Sequence, residues 1–158
     1  MKLPLEVVIE RYWNNLYAAA YVICQNRQDA EDAAQDAFIQ YYVTDRSFDS
    51  EVHIRAWLTR VTINRAKNIC RKAAHTQALP EPDVPVFESA PDRDLMLALL
   101  LLPEHYRIVI HLFYYDGYAI KEIAALLHLT QSAVKVRLSR GRKMLKEQLR
   151  EGWNDDES

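Results

Sequence analysis

The sequence predicts an all-α protein: two small helical domains joined by a Pro-rich acidic linker. Only 3 of its 158 residues are glycine (Gly117, Gly141 and Gly152), so residues 1–116 contain none. Apolar residues make up 49% of the chain, and they recur at the three- and four-residue spacing of helices that bury one face. Four of the six prolines, Pro80, Pro82, Pro85 and Pro91, crowd into one stretch and split the helical pattern in two. The apolar share is too high for a disordered chain. A glycine-free stretch also has no Gly-rich phosphate loop, no dinucleotide fingerprint and no tight two-residue hairpin turn.

The first helix follows from Leu5, Val8, Ile9, Tyr12, Leu16, Ala20 and Ile23, which share one face. Asn26 to Asp29 breaks that pattern and supplies capping side chains. A second helix then buries Ala30, Ala33, Ala37, Phe38 and Tyr41. Thr44 to Ser50 is a polar loop, and a third helix runs from Glu51 to Lys72 with Ile54, Leu58, Val61 and Ile69 as its apolar positions. Residues 1–72 thus form the first domain, and residues 73–92 form the linker.

The second domain spans residues 93–150. Leu95 to Leu101 reads as a helix, and Pro103 suits the first turn of the next one, Glu104 to Tyr115. Asp116-Gly117 stops that helix, glycine being the usual left-handed cap. A short helix from Ile120 to Leu127, a turn at His128 to Thr130 and a long helix from Gln131 to about Leu149 complete a helix-turn-helix layout, with Thr130 as N-cap of the last helix. An acidic tail, residues 151–158, follows.

The net charge of −2 conceals opposed blocks. Residues 1–72 carry +1, 73–102 carry −4, 103–150 carry +5 and 151–158 carry −4. Two helices are more polarised still. Val52 to Lys72 holds no acid and the bases Arg55, Arg60, Arg65, Lys67, Arg71 and Lys72; Gln131 to Lys146 holds no acid and the bases Lys135, Arg137, Arg140, Arg142, Lys143 and Lys146. Basic groups ranged along a helix make phosphate contacts and salt-dependent affinity for nucleic acid. Trp57, Arg60, Asn64, Lys67 or Asn68, and Arg71 recur at helical spacing on the third helix. Asparagine both donates and accepts toward a base edge, and tryptophan stacks on an unpaired base. The second helix is acidic near its start, and Asp32, Gln35 and Asp36 share one face suited to docking a partner protein.

Together these residues resemble a bacterial RNA polymerase sigma factor of the small, two-domain extracytoplasmic-function type. The likeness rests on DAEDAAQDAFIQYY (Asp29 to Tyr42), RAWLTRVTINRAKNICRK (Arg55 to Lys72) and the stretch from Leu102 to Leu149, in that order across a short acidic linker. The resemblance implies that Asp32, Gln35 and Asp36 dock on the clamp coiled coil of the largest subunit of core RNA polymerase. It implies that Phe48, Arg55, Trp57, Arg60, Asn64, Lys67, Asn68 and Arg71 melt and read the minus-ten promoter element. It places Thr130, Gln131, Lys135, Arg137, Ser139 and Arg140 at the minus-thirty-five element, with Arg142 and Lys143 on phosphates. The linker would thread the polymerase cleft, where its −4 charge suits mimicry of nucleic acid. The chain departs from the family pattern at His128, where glycine is frequent; a left-handed non-glycine residue costs about 1 kcal/mol.

The resemblance further implies promoter DNA and core polymerase as partners, with an anti-sigma factor as a further one that sequesters the protein at the inner face of the membrane. The sequence itself fits a cytoplasmic protein. MKLPLEVVIER has no signal-peptide h-region, and the longest apolar run, Leu95 to Leu102, falls short of the ~20 residues of a membrane span. Cys24 and Cys70 suit a reduced compartment and read as buried, inert thiols. No catalytic residue, metal, cofactor or small-molecule substrate is expected, since the five histidines show no ligand spacing. The other reading open to the residues is a dimeric helix-turn-helix regulator that binds operator DNA through the second domain, with residues 1–72 as a sensor or dimer domain.

Overall fold

A computed structural model describes residues 1–73 and 90–156, with side chains described for 1–72 and 94–150. Most of the expected linker lies outside the described residues. The chain divides into two compact units, Met1–Asp83 and Val84–Ser158. Seven α-helices and one π-helical turn are found among the described residues, and no strand. None of these helices is long and apolar enough to cross a membrane.

The first unit packs α1 (Leu5–Cys24), α2 (Arg27–Val43) and α3 (Glu51–Ala73) on one another. Asn26 caps α2, its side chain accepting the Asp29 N–H at 2.9 Å. Ser50 caps α3 by accepting the His53 N–H at 3.2 Å. Tyr12 on α1 donates to Glu51 at the start of α3 at 2.7 Å, and the Cys24 thiol reaches the Ala66 carbonyl at 3.6 Å, so α1 and α3 run parallel. The core joins Val8, Tyr12, Leu16, Ala34, Ala37, Phe38, Tyr41, Phe48, Ile54 and Leu58. On α3 the buried set extends to Thr62, Ile63 and Ala66, whereas Val61 and Ile69, expected inside, are half-buried. Cys24 and Cys70 are also half-buried rather than enclosed, because they sit where α1 and α3 end.

The second unit contains α4 (Ala90–Leu100), α5 (Glu104–Ile110), a π-helical turn (His111–Tyr115), α6 (Ile120–Leu127) and α7 (Gln131–Asp156). The helix α4 starts before residue 93 because Pro91 lies in its first turn, where proline's missing N–H costs nothing. Similarly, α7 runs beyond Leu149 into the expected tail: Gly152 costs a helix only about 1 kcal/mol. Gly117 adopts φ +72 and ends the α5 segment, as its sequence context predicts. His128 takes φ 56 and ψ 44 between α6 and α7, so the turn keeps the left-handed geometry without glycine. Thr130 caps α7 by accepting the Ala133 N–H at 3.1 Å.

Two features fix α7 on its support. Val134, Leu138 and Gly141 form its buried stripe. At Gly141 an added Cβ would lie 2.6 Å from Ile110 Cδ1, so the absence of a side chain lets α5 and α7 touch closely. Beneath them, the π-helical turn holds His111, which is 1% exposed and stacked on Tyr115 at 5.3 Å. Burial drives the imidazole pKa down to about 4, so the ring is neutral at physiological pH.

Candidate nucleic-acid interface

Two exposed helix faces carry the residues singled out by sequence, and a third face carries the acidic cluster. On α3, Arg60, Asn64, Asn68 and Arg71 are exposed, while Arg55, Trp57 and Lys67 are half-buried. The buried positions Ile54, Leu58, Thr62 and Ala66 anchor the helix on its other side. The exposed set therefore forms one continuous polar and cationic stripe. Trp57 borders it, with its indole 5.5 Å from the Phe48 ring at an interplanar angle of 70° and 6.4 Å from Tyr41.

Phe48 requires correction. It was expected at the DNA, but it is 2% exposed and lies inside the core, stacked on Tyr41 at 5.7 Å and edge-on to His53 at 5.2 Å. Its backbone N–H donates to the Met1 carbonyl at 2.9 Å, and the Lys2 ammonium donates to the Thr44 carbonyl at 2.7 Å. In this structure Phe48 props Trp57 from below, and no face of its ring is available to a base. An aromatic in a polar loop has no periodic neighbours, so spacing could not reveal its direction.

The start of α3 is pinned electrostatically. Glu51 accepts from Tyr12 at 2.7 Å and from Arg11 at 2.5 Å, which holds its carboxyl below the usual range. Burial and the same Glu51 contact push the Tyr12 phenol up to about 12.

On α2, Asp32 and Gln35 are exposed and Asp36 is half-buried. Gln28 donates to Asp32 at 2.9 Å, and Arg27 pairs with Glu31 at 3.1 Å. Burial, with Asp32 nearby, raises the Asp29 carboxyl pKa. Asp36 is ion-paired to Arg65 of α3, a partner 29 positions away that no local pattern discloses. Beside Gln35 lies an apolar groove of about 430 Å³ between α1 and α2, lined by Leu5, Ile9, Trp13, Phe38, Ile39 and Tyr42. Ile39 is 59% and Tyr42 68% exposed. They follow Gln35 at four and seven residues, a spacing that would have marked them as part of the same face.

On α7, Gln131, Lys135, Ser139, Arg140, Arg142 and Lys143 are exposed, Thr130 is exposed at the cap, and Arg137 is half-buried. They do not share one face. Ser132, Val136, Ser139 and Lys143 make the line opposite the buried stripe, with Arg140 beside it. Arg142 turns to the flank, its guanidinium 5.8 Å from the Phe113 ring centroid and 5.7 Å from that of Tyr114. Ser132 and Val136 were missed because the charge pattern drew attention to the bases alone.

The chain matches two family models: Sigma-70 region 2 over residues 8–76 and Sigma-70 region 4 over residues 92–145. It is 32% identical over 164 residues to the ECF RNA polymerase sigma factor SigW of Bacillus subtilis, spanning 91% of this chain and 88% of that protein. The chain belongs to the ECF RNA polymerase sigma factors.

Solved structures of similar fold include the sigma factor RpoE in complex with the anti-sigma factor NepR from Bartonella quintana. That likeness has a TM-score of 0.73 at 22% identity and covers 92% of this chain and 96% of the other. CnrH in complex with the cytosolic domain of CnrY gives a TM-score of 0.63 at 27% identity, covering 92% of this chain and 86% of that one. As an ECF sigma factor the protein binds core RNA polymerase and promoter DNA and directs transcription initiation. The operator-binding regulator is not favoured, since that reading gives no place to the region 2 match.

Proposed function

We propose that this sigma factor divides its work among the three faces just described. Residues 1–72 act as region 2, with Asp32, Gln35 and Asp36 docking on the clamp coiled coil of core polymerase and Ile39 and Tyr42 adding apolar contact. Arg55, Trp57, Arg60, Asn64, Lys67, Asn68 and Arg71 engage the minus-ten element. Residues 93–150 act as region 4, with α7 entering the major groove of the minus-thirty-five element through Lys135, Ser139 and Arg140. Thr130, Gln131, Arg137, Arg142 and Lys143 serve its phosphates. Residues 73–92 bridge the two in the polymerase cleft. The protein works in the cytoplasm without chemistry of its own. An anti-sigma factor controls it at the inner membrane face; the complex in which its fold relative RpoE was solved supports the anti-sigma partner.

The observation that carries this reading is the pair of acid-free stretches, Val52 to Lys72 on α3 and Gln131 to Lys146 on α7, each setting exposed bases on a helix whose other side is buried. That arrangement serves a polyanion, and the acidic face of α2 serves a different partner.

The Asp36–Arg65 pair dictates how docking is tested. Asp36→Lys weakens core binding about tenfold or more in a competition assay, an expectation set by loss and reversal of one interfacial charge. The double variant Asp36→Lys with Arg65→Asp restores an ion pair between α2 and α3 without restoring the outward charge. Core affinity that stays low in the double variant supports docking through Asp36. Full recovery means that Asp36 acts only by holding α3.

A further inference from the structure

We infer that Val136 reads the C5 methyl group of a thymine in the upstream promoter element. The inference rests on the proposal that α7 enters the major groove. In that helix Val136 is the one large apolar side chain left exposed among the described residues, at 46%. It lies between six bases that run from Lys135 to Lys146 without an intervening acid. It stands midway along the line opposite Val134, Leu138 and Gly141, so it faces outward where the helix is furthest from its own core.

The neighbours of Val136 favour close approach. Ser132 precedes it by four residues and Ser139 follows by three, and both are exposed. Two short side chains on either side of a branched one leave Val136 the most prominent apolar group of the stripe. Arg140, four residues on, and Lys143, seven residues on, flank it with charge. The side chain has no donor or acceptor, so it cannot read guanine, cytosine or adenine by hydrogen bonding. The thymine C5 methyl is the apolar feature that the major groove displays, and small apolar side chains recognise it by contact. Arg140 is placed to read an adjacent guanine, which would give the element a guanine next to a thymine.

The test uses holoenzyme assembled from core polymerase and either wild-type protein or Val136→Ser, transcribing a template pool with a randomised upstream element. Wild type is expected to enrich thymine at one position, and V136S to lose that enrichment while keeping preferences elsewhere. At that position, replacing thymine by deoxyuridine, which lacks the methyl, should lower wild-type output about fourfold, the worth of one buried methyl-sized group. V136S output should not respond. Unchanged thymine preference in V136S, or an equal response of both proteins to deoxyuridine, overturns the role of Val136. A wild-type pool with no base preference at any upstream position overturns the placement of α7 as well.

Discussion

The two units carry their basic helices in different ways. In the first, α3 is one wall of a three-helix core filled by Tyr41, Phe48, Ile54 and Leu58, and a separate helix, α2, bears the acidic cluster. An ion pair between Asp36 and Arg65 ties the acidic face to the basic helix. In the second unit, one helix does nearly everything: α7 supplies the buried stripe, the outward stripe and the flanking bases, and it rests on α5 through a glycine contact. The first arrangement spreads two binding tasks over two helices and buffers each with a large core. The second concentrates one task on a single helix, so its seat should be the more sensitive to change.

Gly141→Val is expected to have the largest effect. A Cβ already meets Ile110 at 2.6 Å, and two further methyl groups must displace it or lift α7. Overpacking of this kind costs about 3 kcal/mol at the high end of its usual range. Amide hydrogen exchange should show faster opening in α5 and α7 with α1 to α3 unchanged; equal opening in both units would contradict the difference.

A smaller effect is expected from pH. His111 is neutral in the folded state down to about pH 4, but in the unfolded chain it takes up a proton near its ordinary value of 6.5. The unfolded state therefore binds more protons between those values, and the second unit loses stability as pH falls through that window. The loss is about 2 kcal/mol between pH 7 and pH 5. His111→Gln should flatten the dependence, read by hydrogen exchange in α5 at the two pH values. A slope that survives the substitution would assign it to other groups.

The smallest effect belongs to Arg65→Ala. Its pair with Asp36 is partly exposed on both sides, and such pairs contribute under about 1 kcal/mol. Denaturant unfolding should place the first unit's loss within that limit. A larger loss would mean that the two helices depend on the pair for their packing.

Much of the fold was legible in the sequence because its signals are local. Asn26 and Thr130 announce helix starts by their side chains, and Gly117 announces a stop by its backbone freedom. The apolar period of α1 needs no knowledge of the rest of the chain. The misses are of another kind. Phe48 turns inward because Tyr41 and Trp57, brought by two different helices, form its pocket. Arg65 meets Asp36 across a helix pair, and Arg142 bends over the aromatic rings of the π-helical turn. Val136 escaped notice because a lone valine among bases has no charge to count, and only the burial of Val134 and Leu138 shows that it points out. The polarity of each interface was readable from composition, whereas the membership of each face required the packing.

Run-off transcription with purified core polymerase tests the division of labour most directly. Two templates would differ only in the presence of an intact upstream element, each transcribed with wild type, Asp36→Lys and Arg140→Ala. Wild type should give promoter-specific transcripts from both, with more from the intact template. Asp36→Lys should lose transcripts from both, and Arg140→Ala should lose only the advantage of the intact template while still binding core. Loss of core binding in Arg140→Ala, or undiminished transcription by Asp36→Lys, would contradict the assignment of docking to α2 and upstream reading to α7.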